Sequence, residues 1–361
     1  MNRKNFLYLY DNIDIQYLND DVIDSNVDIL MDIYNNFKKI YLSLENIKLE
    51  HIKVENPQRI IDMLRNKFDY MTLINFIGNT KGVYSVEYGD IIFYYLMNSK
   101  KQYEKDKKLI NKLFKIALTL YKFQNNKEGE KIKILWIPID KNRDFKFDLI
   151  EEETLKKVNQ NFEAFTASGL TFGNTTIITR YEEIEKLLLH ELIHNFNLDG
   201  HHCNSQLTKF KQKYNNNKFE NYEYRYDFYE SYTELLSSYF NILFSLINRN
   251  ITKKILKSYI IIEILYSYNV VANLLRINGY DDYEEFLKSQ NFKGDICVYE
   301  YYYIKALMYN NFIIYKIKTC FDIENFYDKI LKMERDDEIM RIIFNIYIKN
   351  NNFKYSFCLN F

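Results

Sequence analysis

Leu187–His202 reads LLLHELIHNFNLDGHH and places His190, Glu191 and His194 in the order His-Glu-x-x-His. On a helix, residues four apart lie on one face about one turn apart, so both imidazoles reach a single metal ion. Glu191 projects about 100° away and still reaches a water on that ion. Four of the five histidines of the chain fall in this stretch, the others being His201 and His202. Around the pair, Ile184, Leu187, Leu188, Leu189, Leu192, Ile193 and Phe196 are spread almost all round the helix. An apolar-all-round helix is a buried one. Two histidines and a glutamate inside it cost several kcal/mol unless something compensates them. Two explanations stand: hydrogen-bonded core histidines, or a metal ion, which is the stronger candidate.

Before the motif, Ile132–Ile139 (IKILWIPI) alternates and is rich in β-branched residues, so it is expected to be a strand, with Pro138 at an edge or terminal position. Phe162–Thr179 is expected to be a pair of extended segments around Ser168-Gly169, with a second turn signal at Gly173-Asn174. Thr175–Thr179 (TTIIT) is the clearest strand. Thr179 and Glu182 form a Thr-x-x-Glu capping box that predicts the start of the motif helix. Beyond the motif, Lys209–Glu223 is polar and expected to be a loop. Tyr226–Asn248 (YDFYESYTELLSSYFNILFSLIN) then predicts a strong helix. Glu230, Glu234, Ser237 and Asn241 form one narrow polar stripe on it. That stripe is either a solvent face or a face turned to the metal.

The chain has 361 residues, 47% of them hydrophobic, and no net charge. A sizeable core is affordable, and scattered Lys and Arg give no electrostatic case for nucleic acid or an anionic membrane. The 34 Tyr and 27 Phe beside only 2 Pro, with abundant Asn, Lys and Ile, match AT-rich codons, so spacing is the better guide than composition. The N-terminus lacks the apolar core of a signal peptide. The most apolar long window, Tyr259–Ile277, contains Glu263, Asn269 and Arg276 and suits a buried helix better than a membrane span. Cys203, Cys297, Cys320 and Cys358 are far apart, as expected of reduced thiols in a cytoplasmic setting.

In the N-terminal part, helices are expected at Val27–Leu44, Gln58–Phe68 behind Pro57, Ile91–Met97 and Leu109–Phe123. Met71–Ile77 and Val83–Val86 are expected as short strands or loop, and His51 as a surface histidine. Asp148–Asn159 is a further expected helix. The C-terminal part predicts helices at Thr252–Asn278, Tyr283–Ser289, Val298–Lys318, Ile323–Lys332 and Glu338–Asn350. This gives a mainly helical region 1–130, a metal-binding core 131–250 and a helical region 251–361.

HELIH followed after a gap by ESYTE resembles the gluzincin metallopeptidases. In that group a second helix carries the third metal ligand in a Glu-x-x-(small or hydroxyl)-Asp/Glu pattern. The resemblance implies Glu230 as that ligand and Glu234 as the acid that accepts a hydrogen bond from a ligating histidine. The segment from Ser168 through Glu234 is also similar to uncharacterised His-Glu-x-x-His proteins of large cytoplasmic DNA viruses. Metzincins carry a later glycine and a third histidine. Here Asn197 and Gly200 stand at those positions and His201 is one residue late, which leaves His201 as the alternative third ligand. Asp199 either pairs with a ligand histidine or stabilises the turn. No histidine follows His202 to stabilise an oxyanion, so Tyr299 and Tyr301–Tyr303 are candidates by position.

Together these imply an α+β fold with a zincin-like core and helical additions at both ends. The implied activity is a Zn2+-dependent peptidase with Glu191 as general base, acting on a peptide or protein substrate, without nucleic acid or membrane partners. Hydrolysis of a non-peptide amide uses the same motif. The alternative from another class is a non-catalytic zincin-fold viral protein in which zinc is a structural staple.

Overall fold

A computed structural model describes residues 17–65, 71–124, 131–139, 169–181, 183–199, 228–277, 279–289, 299–314 and 338–348. The fold is α+β. Its centre is one mixed six-stranded sheet of β1 (His51–Lys53), β2 (Gly82–Tyr88), β3 (Ile91–Met97), β4 (Ile132–Ile137), β5 (Gly169–Phe172) and β6 (Thr175–Thr179), in the order β1-β2-β3-β4-β6-β5. β1, β2 and β3 form an antiparallel meander. β3, β4 and β6 are parallel, and β5 folds back antiparallel on β6 to make the edge. Gly173, with φ of 52°, begins the two-residue Gly173-Asn174 turn between them, the conformation such a tight hairpin needs.

Helices cover both faces. In chain order they are α1 (Asp20–Ser43), α2 (Gln58–Arg65), α3 (Met71–Gly78), α4 (Lys100–Phe123), α5 (Ile184–Asn195), α6 (Phe228–Ser245), α7 (Lys253–Ile277), α8 (Tyr283–Ser289), α9 (Lys305–Asn311) and α10 (Glu338–Ile348). A π-helical stretch, Tyr299–Ile304, runs straight into α9. α4 supplies the crossover from β3 to its parallel neighbour β4. Strand residues such as Phe93, Tyr95, Ile134, Trp136 and Ile178 face the large core built with α1, α4, α5, α6 and α7. Their alternates Leu96, Leu135, Ile137 and Ile177 face a smaller core with Ile61 and Leu64 of α2 and Ile77 of α3.

Several sequence expectations are corrected. Ile91–Met97 is a strand, not a helix. It is buried on both faces, so its apolar run shows no period-two alternation to separate it from a buried helix. Met71–Gly78 is a helix rather than a strand or loop, its Ile77 packed with α2. His51 lies half-buried in β1 with Nε2 2.8 Å from Asn111 Oδ1. The stretch expected as one helix from Val298 is a π-helical stretch followed by the short α9. The sheet takes three of its six strands from residues 51–97, inside the region expected to be mainly helical. Asp148–Asn159, Lys209–Glu223, Ile323–Lys332 and the four cysteines lie outside the described residues. α7 is the one described helix long and apolar enough to cross a membrane by composition, and 72% of that window is buried within the protein, as in a core helix.

Candidate metal centre

The motif helix α5 is set by its two ends. It follows β6 through Arg180 and Glu183, both at positive φ (75° and 57°), and Trp136 Nε1 donates to the Arg180 carbonyl at 3.0 Å. Thr179 is the last residue of β6 and the helix begins only at Ile184, with no side-chain cap. The expected capping box is therefore not what starts it; Glu182 lies outside the described residues. At the other end the Asn197 N–H donates to the His194 carbonyl and the Leu198 N–H to that of Ile193, with Asn197 at φ 52°. This is a Schellman turn, and Asn is the side chain after glycine that best tolerates its left-handed residue. The turn carries the chain back so that Asp199, fully buried, reaches His194.

α6 packs against α5, with Leu235, Leu236 and Tyr239 in the same core as Leu188, Leu189 and Leu192. The polar stripe of α6 is thus not a solvent face. Glu230 and Glu234 at its start point to the histidines. His190 Nε2 and His194 Nε2 are 3.2 Å apart, and Glu230 Oε2 lies 3.2 and 3.4 Å from them. Among the described residues this is the one group of three metal-capable side chains with ligand atoms within 4.8 Å of one another. Behind it, His190 Nδ1 is 3.1 Å from Glu234 Oε1, and His194 Nδ1 is hydrogen-bonded to Asp199 Oδ2. Those carboxylates draw a proton to each Nδ1 and leave each Nε2 as a lone pair aimed at the centre. Three acceptor atoms then face one another, an arrangement that repels unless a cation or protons lie among them. The residues fit a metal ion.

Of the acids named from sequence, Glu234 lies on His190 and Asp199, for which a turn-stabilising role was the alternative, lies on His194. The hydroxyl position of the ESYTE pattern also acts, since Thr233 Oγ1 donates to Asp199 Oδ2 at 3.1 Å. Sequence reasoning missed two lysines. Lys186, one turn before His190 on α5, places its Nζ 2.5 Å from Glu234 Oε2. Lys305, the first residue of α9 and only 2% exposed, sits 3.9 Å from the same oxygen and 3.7 Å from Glu263 Oε1. The available signal was that Lys186 shares the helical face of His190 at i, i+4; nothing local marked Lys305. His201 lies outside the described residues. Of the tyrosines named by position, Tyr303 pairs its hydroxyl with that of Tyr283 at 2.6 Å, Tyr302 has its ring 5.7 Å from Lys305 Nζ, and the side chains of Tyr299 and Tyr301 are outside the described residues.

Glu191, Asp199, Glu230 and Glu234 crowd carboxylates around two imidazoles, with Lys186 and the shared Lys305 in partial compensation. The electrostatic consequence is a strong pull for positive charge. Burial alone would lower the histidine pKa values, but Glu230 and Glu234 raise His190 to about 9, and Asp199 and Glu230 raise His194 to about 11. Burial would raise Glu230, yet the two histidines hold it well below the usual carboxylate range; Glu234 is likewise held low, chiefly by Lys186. Glu191 is pushed up by burial, against the opposing pull of the histidines.

No protein-family model matches the chain, and no solved structure matches it. Over 174 residues it is 28% identical to an uncharacterised protein of Acanthamoeba polyphaga mimivirus. That match covers 44% of this chain and 42% of the viral protein, less than half of either. The similarity to a viral protein agrees with the viral resemblance drawn from the motif segment.

Proposed function

We propose that the chain is a zinc-dependent metallopeptidase of gluzincin type, in which His190, His194 and Glu230 hold the metal and Glu191 is the general base. The observation that carries this is the triangle of donor atoms with sides of 3.2, 3.2 and 3.4 Å. In a tetrahedral zinc site with bonds of about 2.0–2.1 Å, ligand atoms are about 3.3–3.4 Å apart. Two imidazoles and one carboxylate are also the donor set of catalytic zinc sites that keep a fourth position for water. Zinc bound there would polarise a carbonyl and lower the pKa of its water towards ~7.

The chain's own groups supply the rest. Glu191 takes the proton of the attacking water and delivers it to the leaving amine. Burial pushes the Glu191 carboxyl up, which makes its carboxylate a better proton acceptor. Glu234 and Asp199 keep the histidines in the tautomer that presents Nε2. Among the described residues β5 is the edge strand of the sheet and lies beside α5, the position from which an extended peptide substrate would be received as a further strand.

The test is cleavage of a mixed-sequence peptide library by zinc-loaded protein, wild type beside Glu191→Gln. The expected outcome is cleavage by wild type and a loss of about 10²–10⁴-fold in the variant, the usual contribution of a general base, with zinc content unchanged. Equal cleavage by both proteins, or none by a wild type that holds zinc, contradicts the peptidase.

A further inference from the structure

Glu191 is held by a socket on the edge strand. An ideal Cβ placed on Gly169 would lie 2.7 Å from both Cγ and Cδ of Glu191 and closer still to Oε1. Any side chain there would have to displace the Glu191 carboxylate from this position, so the bare backbone of β5 forms one wall against it. Glycine inside a strand weakens it and is explained where another group approaches closely. Two residues on, Thr171 Oγ1 lies 2.7 Å from Glu191 Oε2 and 3.0 Å from the Glu191 carbonyl. A hydroxyl has a single proton, and the nearer, charged acceptor takes it.

The donor direction extends further. Thr176, opposite Thr171 across the β5–β6 pair, has its Oγ1 3.4 Å from Thr171 Oγ1. Because the Thr171 proton is used on Glu191, Thr176 is the donor of that contact. Thr176 in turn accepts from Asn195 Nδ2 at 3.2 Å, and an amide nitrogen only donates. A chain therefore runs Asn195 to Thr176 to Thr171 to Glu191, each hydroxyl polarised by the one before it. It begins one residue beyond His194 and ends on the carboxylate beside His190, tying both ends of the motif to β5.

We infer that Gly169 and Thr171 are positioning residues that fix the carboxylate of Glu191 for proton transfer. The inference rests on the metal and general-base assignment of the preceding section. It adds that the strand offered to substrate also sets the base. A site whose base is aimed by the substrate-binding strand is disturbed by changes in β5 that touch neither the metal nor its ligands.

The experiment uses acetohydroxamic acid, a small zinc chelator that gives up its hydroxyl proton to a neighbouring carboxylate and needs no knowledge of peptide specificity. Its affinity is measured by calorimetry on zinc-loaded wild type, Thr171→Val, Thr171→Ser and Gly169→Ala, with zinc content and thermal melting recorded for each. Thr171→Val keeps the strand-favouring shape and loses the hydroxyl, so it stays informative even where Gly169→Ala fails to fold. The expected result is full zinc content throughout, affinity weakened about tenfold or more in Thr171→Val and Gly169→Ala, and recovery in Thr171→Ser. Equal affinity in wild type and Thr171→Val, with zinc present in both, overturns the socket and leaves the metal site standing. A wild type that takes up no zinc overturns both.

Discussion

At the residue scale the candidate centre is a problem in proton and charge placement. Asp199 holds one histidine and Glu234 the other, and Glu234 also meets the ammonium groups of Lys186 and Lys305. Asp199→Asn keeps the shape of the pair and removes its charge. It should weaken zinc binding about 10–100-fold, the usual effect of losing an outer carboxylate, read by competition with a chromophoric chelator. The metal-free site also has a pH signature. His190 and His194 are raised from 6.5 to about 9 and about 11, so the folded protein binds more protons than the unfolded chain between those values. Their contribution is complete below about pH 6.5 and is lost as pH rises through 9 and 11. In chelator, the melting temperature should fall from pH 7 to pH 10. With saturating zinc the histidines are neutral ligands, so that fall should shrink. A metal-free melting temperature flat across the range contradicts the protonated pair.

At the element scale, what was legible followed from period and spacing. The His-Glu-x-x-His helix, the strand Thr175–Thr179, the second helix with Glu230 and the long helices α1, α4 and α7 all carry patterns that local physics can read. Ile91–Met97 does not, because a strand covered on both faces is apolar throughout. Met71–Gly78 is a short apolar run closed by a glycine, which periodicity cannot separate from a strand, and its helix is fixed by packing against α2. The Thr179 capping box misled because the chain enters α5 through two left-handed residues instead. The exit turn is the more consequential device, since Asn197 swings Asp199 beneath His194. Asn197→Ala keeps the β-carbon at φ 52° but removes the carboxamide whose local hydrogen bonding makes Asn tolerant of that conformation, and should destabilise the fold by about 1 kcal/mol, measured by urea unfolding, while Asn197→Gly, which removes the β-carbon, should be close to neutral. Equal losses in both variants contradict the strained turn.

At the scale of the whole molecule, the site depends on parts of the chain far from the motif. Glu191 leans on β5, and Glu234 is compensated from α9 by a lysine that no local pattern could announce, because a contact made across some seventy residues leaves no spacing to read. The sheet crosses the boundary expected near residue 130, with β4 paired in parallel to β3 on one side and β6 on the other. A fragment of residues 131–361 would expose that side of β4 and the faces of α5 and α6 that pack against α1 and α4. Such a fragment should lack a cooperative thermal transition by circular dichroism, where the whole chain unfolds in one; a cooperatively folding fragment would show that the core stands alone.

The proposed chemistry stands or falls on whether His190, His194 and Glu230 together hold one metal ion. Elemental analysis of purified, zinc-equilibrated protein tests it most directly, with Glu230→Gln alongside wild type. One zinc per chain is expected in wild type, with a marked loss in Glu230→Gln after dialysis against a weak chelator. A wild type without zinc contradicts the metal centre itself, and a Glu230→Gln that holds zinc as firmly as wild type removes Glu230 from it.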